Sequence, residues 1–284
     1  MGVSSPGLPR ARTLGAVLRQ ARKSSGLSMR DVAPQIGLAH STIGRWESGD
    51  ILPTAADVAA LLDVLKIDQA DRDKIMALAQ DSDNTAWLAS GPAPYGVSQS
   101  MAGMLECERT AQHITYWSPL VIPGVLQTSD YARSIFSQST LSPSKIQTLV
   151  TLRMGRRDVF MRADPAELVV LIGEQAIHSG IGGPPVMRDQ LRHLHAMSKL
   201  DAITVQLVRM TGEWHPGFVG PFVLYKFGFQ PTVVHIEHLQ SGVFLVDDED
   251  ITAYESAVDA IRQCVMGPEE SMDHVASVLA TLEA

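Results

Sequence analysis

Over the first eighty residues the hydrophobic positions recur at helical spacing. In TLGAVLRQARKS (13–24), Leu14, Val17, Leu18 and Ala21 fall at i, i+3, i+4 and i+7, the stripe of a helix with one buried face. Gly26 follows, where a left-handed C-cap costs little without a Cβ. Ser28, with Asp31 three residues on, is a variant of the capping box and predicts a second helix buried through Val32, Ala33 and Ile36. Pro34 lacks an amide donor, so that helix is expected to bend or stop short. Gly37-Leu38-Ala39 reads as a tight turn into a third helix, HSTIGRWESG (40–49). Thr54 caps a fourth, carrying Val58, Leu61, Leu62 and Leu65, and 69–80 supplies a fifth through Ile75, Met76 and Leu78. Short helices with a glycine turn between the second and third are the helix-turn-helix layout.

The pattern then changes. DSDNTAWLASGPAPYGV (81–97) is rich in Gly, Pro, Ser and Asp and reads as a linker, with Trp87 and Leu88 as docking points. Helices are expected at 99–113, 128–138, 143–162, 184–200, 249–265 and 268–283, with an extended stretch at 114–127 around two prolines. ELVVLIG (167–173) is a continuous apolar run suited to an interior strand. AITVQLVRM (202–210) alternates as a half-buried strand does. GPFVLYKFG (220–228) and TVVHIEHLQSGVFLVDD (232–248) add two or three more, the latter split by Gln240-Ser241-Gly242 as a hairpin turn. The expected class is α+β: an all-α five-helix helix-turn-helix domain at 10–80, a linker at 81–98, and a mixed α/β domain with a mostly antiparallel sheet at 99–284.

At 284 residues the chain is long for one domain and comfortable for two. No apolar run approaches a membrane span, and the basic N-terminus has no apolar core of a secretory signal. Cys107 and Cys264 have neither metal nor framework spacing and suit reduced thiols in a cytoplasmic protein. The net charge of −8 argues against nucleic acid when taken whole. Residues 1–49, however, hold Arg10, Arg12, Arg19, Arg22, Lys23, Arg30 and Arg45 against only Asp31 and Glu47. A basic head on an acidic body is the asymmetry expected when one small module touches phosphate. Arginines clustered by chance on a solvated face are the alternative on charge alone.

A helix entering the major groove must present short polar side chains and one long donor. His40, Ser41 and Thr42 open the third helix, Arg45 lies one turn later on the face of Ser41 and Thr42, and Ile43 and Trp46 face the other way. Gly44 is expected to keep the groove side slim. The run from Leu14 to Leu65 resembles the lambda-repressor-like, xenobiotic-response-element family of helix-turn-helix regulators. The matching residues are Arg22, Gly26-Leu27-Ser28, Val32-Ala33, Ile36-Gly37, Ser41-Thr42-Ile43 and Trp46-Glu47-Ser48-Gly49, followed by Pro53. That resemblance implies that Arg22 pairs with Glu47 near a phosphate. It also implies that His40, Ser41 and Arg45 read bases with Thr42 beside them, and that Ser28 and Arg30 hold phosphate. Ala39, at the usual polar N-cap of helix three, and Pro34 depart from the family pattern.

Residues 113–284 resemble the C-terminal domain that follows such units in many actinobacterial, antitoxin-like regulators. Trp117-Ser118-Pro119, Ile122 to Thr128, Asp130-Tyr131-Ala132-Arg133, Arg153 with Arg156-Arg157, Ile172 to Ala176, Gly182-Gly183, Gln190-Leu191, His215-Pro216-Gly217 and Gly220-Pro221-Phe222 carry the likeness. It implies a second domain that takes up a small partner protein or a small-molecule effector. Tyr116, Trp117, Gln127, Tyr131, Glu174, Trp214 and His215 are the candidate pocket residues, lying in loops or near element ends; core aromatics and turn residues are the alternative for each. Arg153, Arg156 and Arg157 could hold an anion, though pairing with surface acids is favoured. His193 with His195 and His235 with His238 point to diverging faces, which makes poor metal clips. Ser118 lacks the elbow of a hydrolase and Gly180-Ile181-Gly182-Gly183-Pro184 lacks the lysine of a phosphate loop, so no catalytic set and no cofactor is expected. The expected function is a sequence-specific transcriptional regulator that binds double-stranded DNA as a homodimer and not a membrane. The alternative is an antitoxin-like interaction module for which DNA is secondary.

Overall fold

Leu14, Val17, Leu18 and Ala21 all lie on the buried side of α1 (Pro9–Ser24), which ends before Gly26 at φ +74°. The computed structural model describes residues 9–80, 86–90, 98–209, 214–239 and 241–283. Contacts divide the chain into two units, one of residues 1–110 and 226–251, the other of residues 111–225 and 252–284.

In the first unit, Ser28 and Asp31 cap α2 (Met29–Val32) reciprocally: the Asp31 amide donates to Ser28 Oγ and the Ser28 amide to Asp31 Oδ2. The helix lasts one turn. Pro34 cannot supply an amide, and residues Ala33–Ile36 continue as a 3-10 turn closed by Gly37 at φ +68°. Next come α3 (His40–Glu47), α4 (Ala55–Leu65), with a second capping box from Thr54 and Asp57, and α5 (Gln69–Gln80). Leu14, Leu18, Ile43, Trp46, Val58, Leu61, Leu62 and Ile75 close their common core. At Gly15 the helices meet backbone to backbone: a Cβ there would sit 2.2 Å from the Trp46 carbonyl oxygen.

Further along the chain, α6 (Gln99–Thr110) packs on α1. Three antiparallel strands belong to the same unit, in the order β1 (Ala86–Ser90), β7 (Ser241–Leu245), β6 (Val233–Glu237). Part of the expected linker is therefore strand β1, with Trp87 in register with Phe244; residues 81–85 and 91–97 of it lie outside the described residues. The hairpin turn also falls earlier than expected. Ser241 and Gly242 are strand residues, and the His238 amide donates to the Ser241 carbonyl. Gly242 is there for close packing, since a Cβ would meet Ser100 Oγ at 2.2 Å.

The second unit orders its strands β5 (Phe222–Lys226), β2 (His113–Ser118), β3 (Glu167–Gly173), β4 (Ile203–Val208), with Lys226 already counted in the first. The β2–β3 and β3–β4 pairs are parallel, whereas the β1–β7 and β6–β7 pairs of the first unit are antiparallel, so the α+β fold mixes both kinds of pairing. The connections explain the orientation. Helices α7 (Ser129–Phe136) and α8 (Pro143–Gly155) lie between β2 and β3, and α9 (Gly183–Met197) lies between β3 and β4, as parallel neighbours require. α11 (Pro268–Glu283) packs on α9 and β4, and the Leu207 amide donates to Ser271 Oγ at 2.9 Å. Directly before α11 in the chain comes α10 (Asp248–Arg262), whose Tyr254 ring meets Phe222 edge-on.

Candidate nucleic-acid interface

Helix α3 is divided as a groove helix must be. Ile43 and Trp46 are buried, His40, Ser41 and Arg45 are exposed, and Thr42 is half-buried beside them. Ser41 and Arg45 are one turn apart on the open face. Among the described residues the Arg45 guanidinium has no hydrogen-bond or ion-pair partner, so its five donors are available to a ligand. Gly44 has a different place from the one expected. A Cβ there would meet Met29 Sδ at 3.7 Å, so it faces α2.

The C-terminal end of α3 is held from several sides. The Arg45 carbonyl accepts from the amides of Asp50 and Ile51 at 2.9 and 3.1 Å, and Ser48 Oγ donates to Asp50 Oδ2 at 2.6 Å. Arg22 faces Glu47 as a fork: Nε donates to Oε1 at 2.6 Å and Nη2 to Oε2 at 2.8 Å, while Nη1 donates to the Leu27 carbonyl. The pair's side chains are 10% and 3% exposed, and its hydrogen bonds hold the Arg22 guanidinium above its ordinary range. At the start of α2, Ser28 and Arg30 are both exposed; the Ser28 hydroxyl is engaged in its cap, and Arg30 has no partner among the described residues.

The arginines of residues 1–49 are mostly spent inside the protein. Arg10 donates to the Leu78 and Ala79 carbonyls at the end of α5. Arg12 is fully buried, its guanidinium 3.3 Å from the Phe227 ring centre and bonded to Thr110 and Gln230. Arg19 pairs with the buried Glu106, which Arg109 also holds. Lys23, Arg30 and Arg45 are the cations of that stretch that stand exposed. The whole first unit carries 12 Lys and Arg against 17 Asp and Glu, so the basic head read along the sequence is not a basic unit in space. Partners so far apart along the chain leave no local signal.

The pocket candidates of the second unit are mostly core. Tyr116 accepts from Arg156, Trp117 Nε1 donates to the Gly217 carbonyl at 2.8 Å, and Gln127 joins the Ile122 carbonyl to Arg153. The Tyr131 hydroxyl accepts from the Ile122 amide. Glu174 is half-buried in the 3-10 turn after β3, and Trp214 is 71% exposed. His215 is buried edge-on to Trp117, with Nδ1 accepting from the Gly217 amide, and burial lowers its pKa. Arg157 contacts His193, whose pKa burial and that arginine together lower. His235 is buried against Ser100 and Phe244 while His238 is exposed, so the two diverge.

A family described as a domain of unknown function, DUF5753, matches residues 101–277, more than half of the chain. A second, described as a helix-turn-helix domain, matches residues 13–75. No curated protein matches. Among the described residues no helix is long and apolar enough to cross a membrane.

Proposed function

The chain belongs to the family of the domain of unknown function DUF5753, here carried behind a helix-turn-helix domain, and from that premise we propose that it is a sequence-specific DNA-binding transcriptional regulator. The observation that carries the reading is α3 itself, with Ile43 and Trp46 buried and Arg45, which has no partner among the described residues, standing on the open face with His40 and Ser41. Such a helix lies in the major groove, where Arg45 forks onto a guanine edge and His40, Ser41 and Thr42 contact neighbouring bases. Arg30 and Ser28 approach phosphate, with Arg22 behind them setting the geometry rather than supplying free donors. One module this small gives little specific affinity, so two copies bind paired half-sites. The DUF5753 region takes up a small effector or partner protein that sets the activity.

The test is a titration of the full chain with the duplex upstream of its own gene, at about 50 and 200 mM salt. The three exposed cations of residues 1–49 put the salt slope at about −2 to −3 per protomer, a loss of roughly 15- to 60-fold over that range. Arg45→Ala should weaken the specific complex by about 1–3 kcal/mol and relax selectivity at one base pair. Binding that ignores salt, or an Arg45→Ala chain with unchanged affinity, rejects the reading in favour of a protein-interaction module.

A further inference from the structure

The DNA-binding unit is not built from the helix-turn-helix sequence alone. Residues 226–251, within the DUF5753 match, belong to the same compact unit, and the turn that follows β5 reaches α1 and the end of α3. Phe227 lies under the Arg12 guanidinium. Gln230 accepts from Arg12 Nη2 through its amide oxygen and donates through Nε2 to Asp50 Oδ1 at 2.8 Å. Both amide ends are thus used, one on α1 and one just past α3. Gly49 completes the contact: at φ +76° it lets the chain pass so close to Arg12 that a Cβ would sit 2.8 Å from the Arg12 Cα.

Asp50 is where this bridge meets the reading helix. Its carboxylate takes Gln230 on Oδ1 and Ser48 on Oδ2, and its amide donates to the carbonyl of Arg45. We propose that Gln230 is a positioning residue for DNA reading: by holding Asp50 against Arg12 it fixes the last turn of α3, and with it the direction in which Arg45 leaves the helix. The proposal rests on the DNA-binding reading above. It assigns the DUF5753 region a structural part in the interface through a residue that does not touch DNA.

The polarity of the bridge supplies the test. Gln230→Leu keeps volume and removes both hydrogen bonds. Gln230→Glu keeps the acceptor for Arg12 but sets a carboxylate against Asp50. Adding Asp50→Asn to Gln230→Glu reverses donor and acceptor: the introduced asparagine amide donates to the introduced carboxylate, and both arms are restored. In the full-length chain, Gln230→Leu and Gln230→Glu should each raise Kd for the specific duplex roughly tenfold, the size expected for losing such bonds. A random duplex should bind within about threefold of wild type, because the phosphate-directed cations are untouched. The amides of Asp50 and Ile51 should exchange faster in both variants. The Gln230→Glu/Asp50→Asn chain should return to within about threefold of wild type, as a coupled pair does in a double-mutant cycle.

Specific binding unchanged in Gln230→Leu overturns the proposal, as does equal weakening on specific and random duplexes. A reversed pair no better than Gln230→Glu also overturns it, and this comparison decides the matter if Gln230→Leu does not fold. A wild-type chain that binds no duplex takes down the DNA-binding reading and this one together, whereas wild-type binding with an indifferent Gln230 removes this one alone.

Discussion

Arg22→Leu leaves the Glu47 carboxylate at 3% exposure with both oxygens stripped of their partner. Removing one member of a buried, bidentate pair costs about 3–5 kcal/mol, because the remaining charge can neither reach water nor find another cation. The Leu27 carbonyl loses its Arg22 donor as well, about 0.5–1.5 kcal/mol more. At about 3 °C per kcal/mol for a protein of this size, the broken pair alone should lower the melting of the unit holding α1 and α3 by about 9–15 °C. Taking both charges away is a different perturbation. Arg22→Leu/Glu47→Leu fills the site with apolar volume and should lie within about 1–2 kcal/mol of wild type, since a well-packed hydrophobic replacement recovers the desolvation the pair incurred. Thermal melts followed by circular dichroism, with hydrogen exchange reporting on α1 and α3 peptides, measure both. An Arg22→Leu chain within about 1 kcal/mol of wild type, or a double variant as unstable as the single, would refute the assignment of Arg22 to structure.

Gly49→Ala should destabilise the unit by about 1–3 kcal/mol, combining a left-handed φ with a Cβ driven onto the Arg12 backbone; melting near wild type would contradict that contact. Cys107, whose thiol burial pushes up to about 12, should resist a thiol reagent in the native chain while the half-exposed Cys264 reacts. By linkage the same shift makes the unfolded chain lose its proton first, so stability falls as pH rises above about 9, and Cys107→Ala should flatten that slope in alkaline melts. His193 and His215 act on the acid side. With both pKa values lowered in the fold, the unfolded chain binds protons first, so their contribution is present at neutral pH and lost as pH falls through the ordinary histidine range. His193→Gln should therefore narrow the gap between melts at about pH 7.5 and 5.5; an unchanged gap would show that the ring does not titrate with unfolding.

The legible parts of the fold were those whose cause is local. Leu14, Val17, Leu18 and Ala21 mark α1 by spacing alone, and the Ser28–Asp31 box and the Thr54 cap mark two helix starts. The open face of α3 was likewise visible, because the burial of Ile43 and Trp46 follows from their three-residue separation. What the chain hid depends on distance along it. Arg10 and Arg12 look like phosphate cations until Leu78, Phe227 and Gln230 are placed beside them. Tyr116 and Tyr131 are ambiguous in the sequence, since a polar aromatic near a loop can face a pocket or the core, and their hydroxyls accept from Arg156 and from the Ile122 amide, partners no local pattern shows. The parallel strands β3 and β4 were apolar enough to identify as strands, whereas β2 read only as part of an extended stretch before two prolines; the direction of all three is set by the helices between them rather than by their own residues.

The bond from Arg12 to Gln230 spans 218 positions of sequence, and that span governs the order in which the protein can mature. A ribosome emits α1 through α5 long before the turn after β5, so the nascent helix-turn-helix waits, with the Arg12 site open, until β6 and β7 emerge. Contacts of such range slow the final folding step. A chain cut short before Gln230 by a premature stop or by proteolysis lacks the brace. On the DNA-binding reading proposed above, it should bind a specific duplex more weakly than the full-length protein.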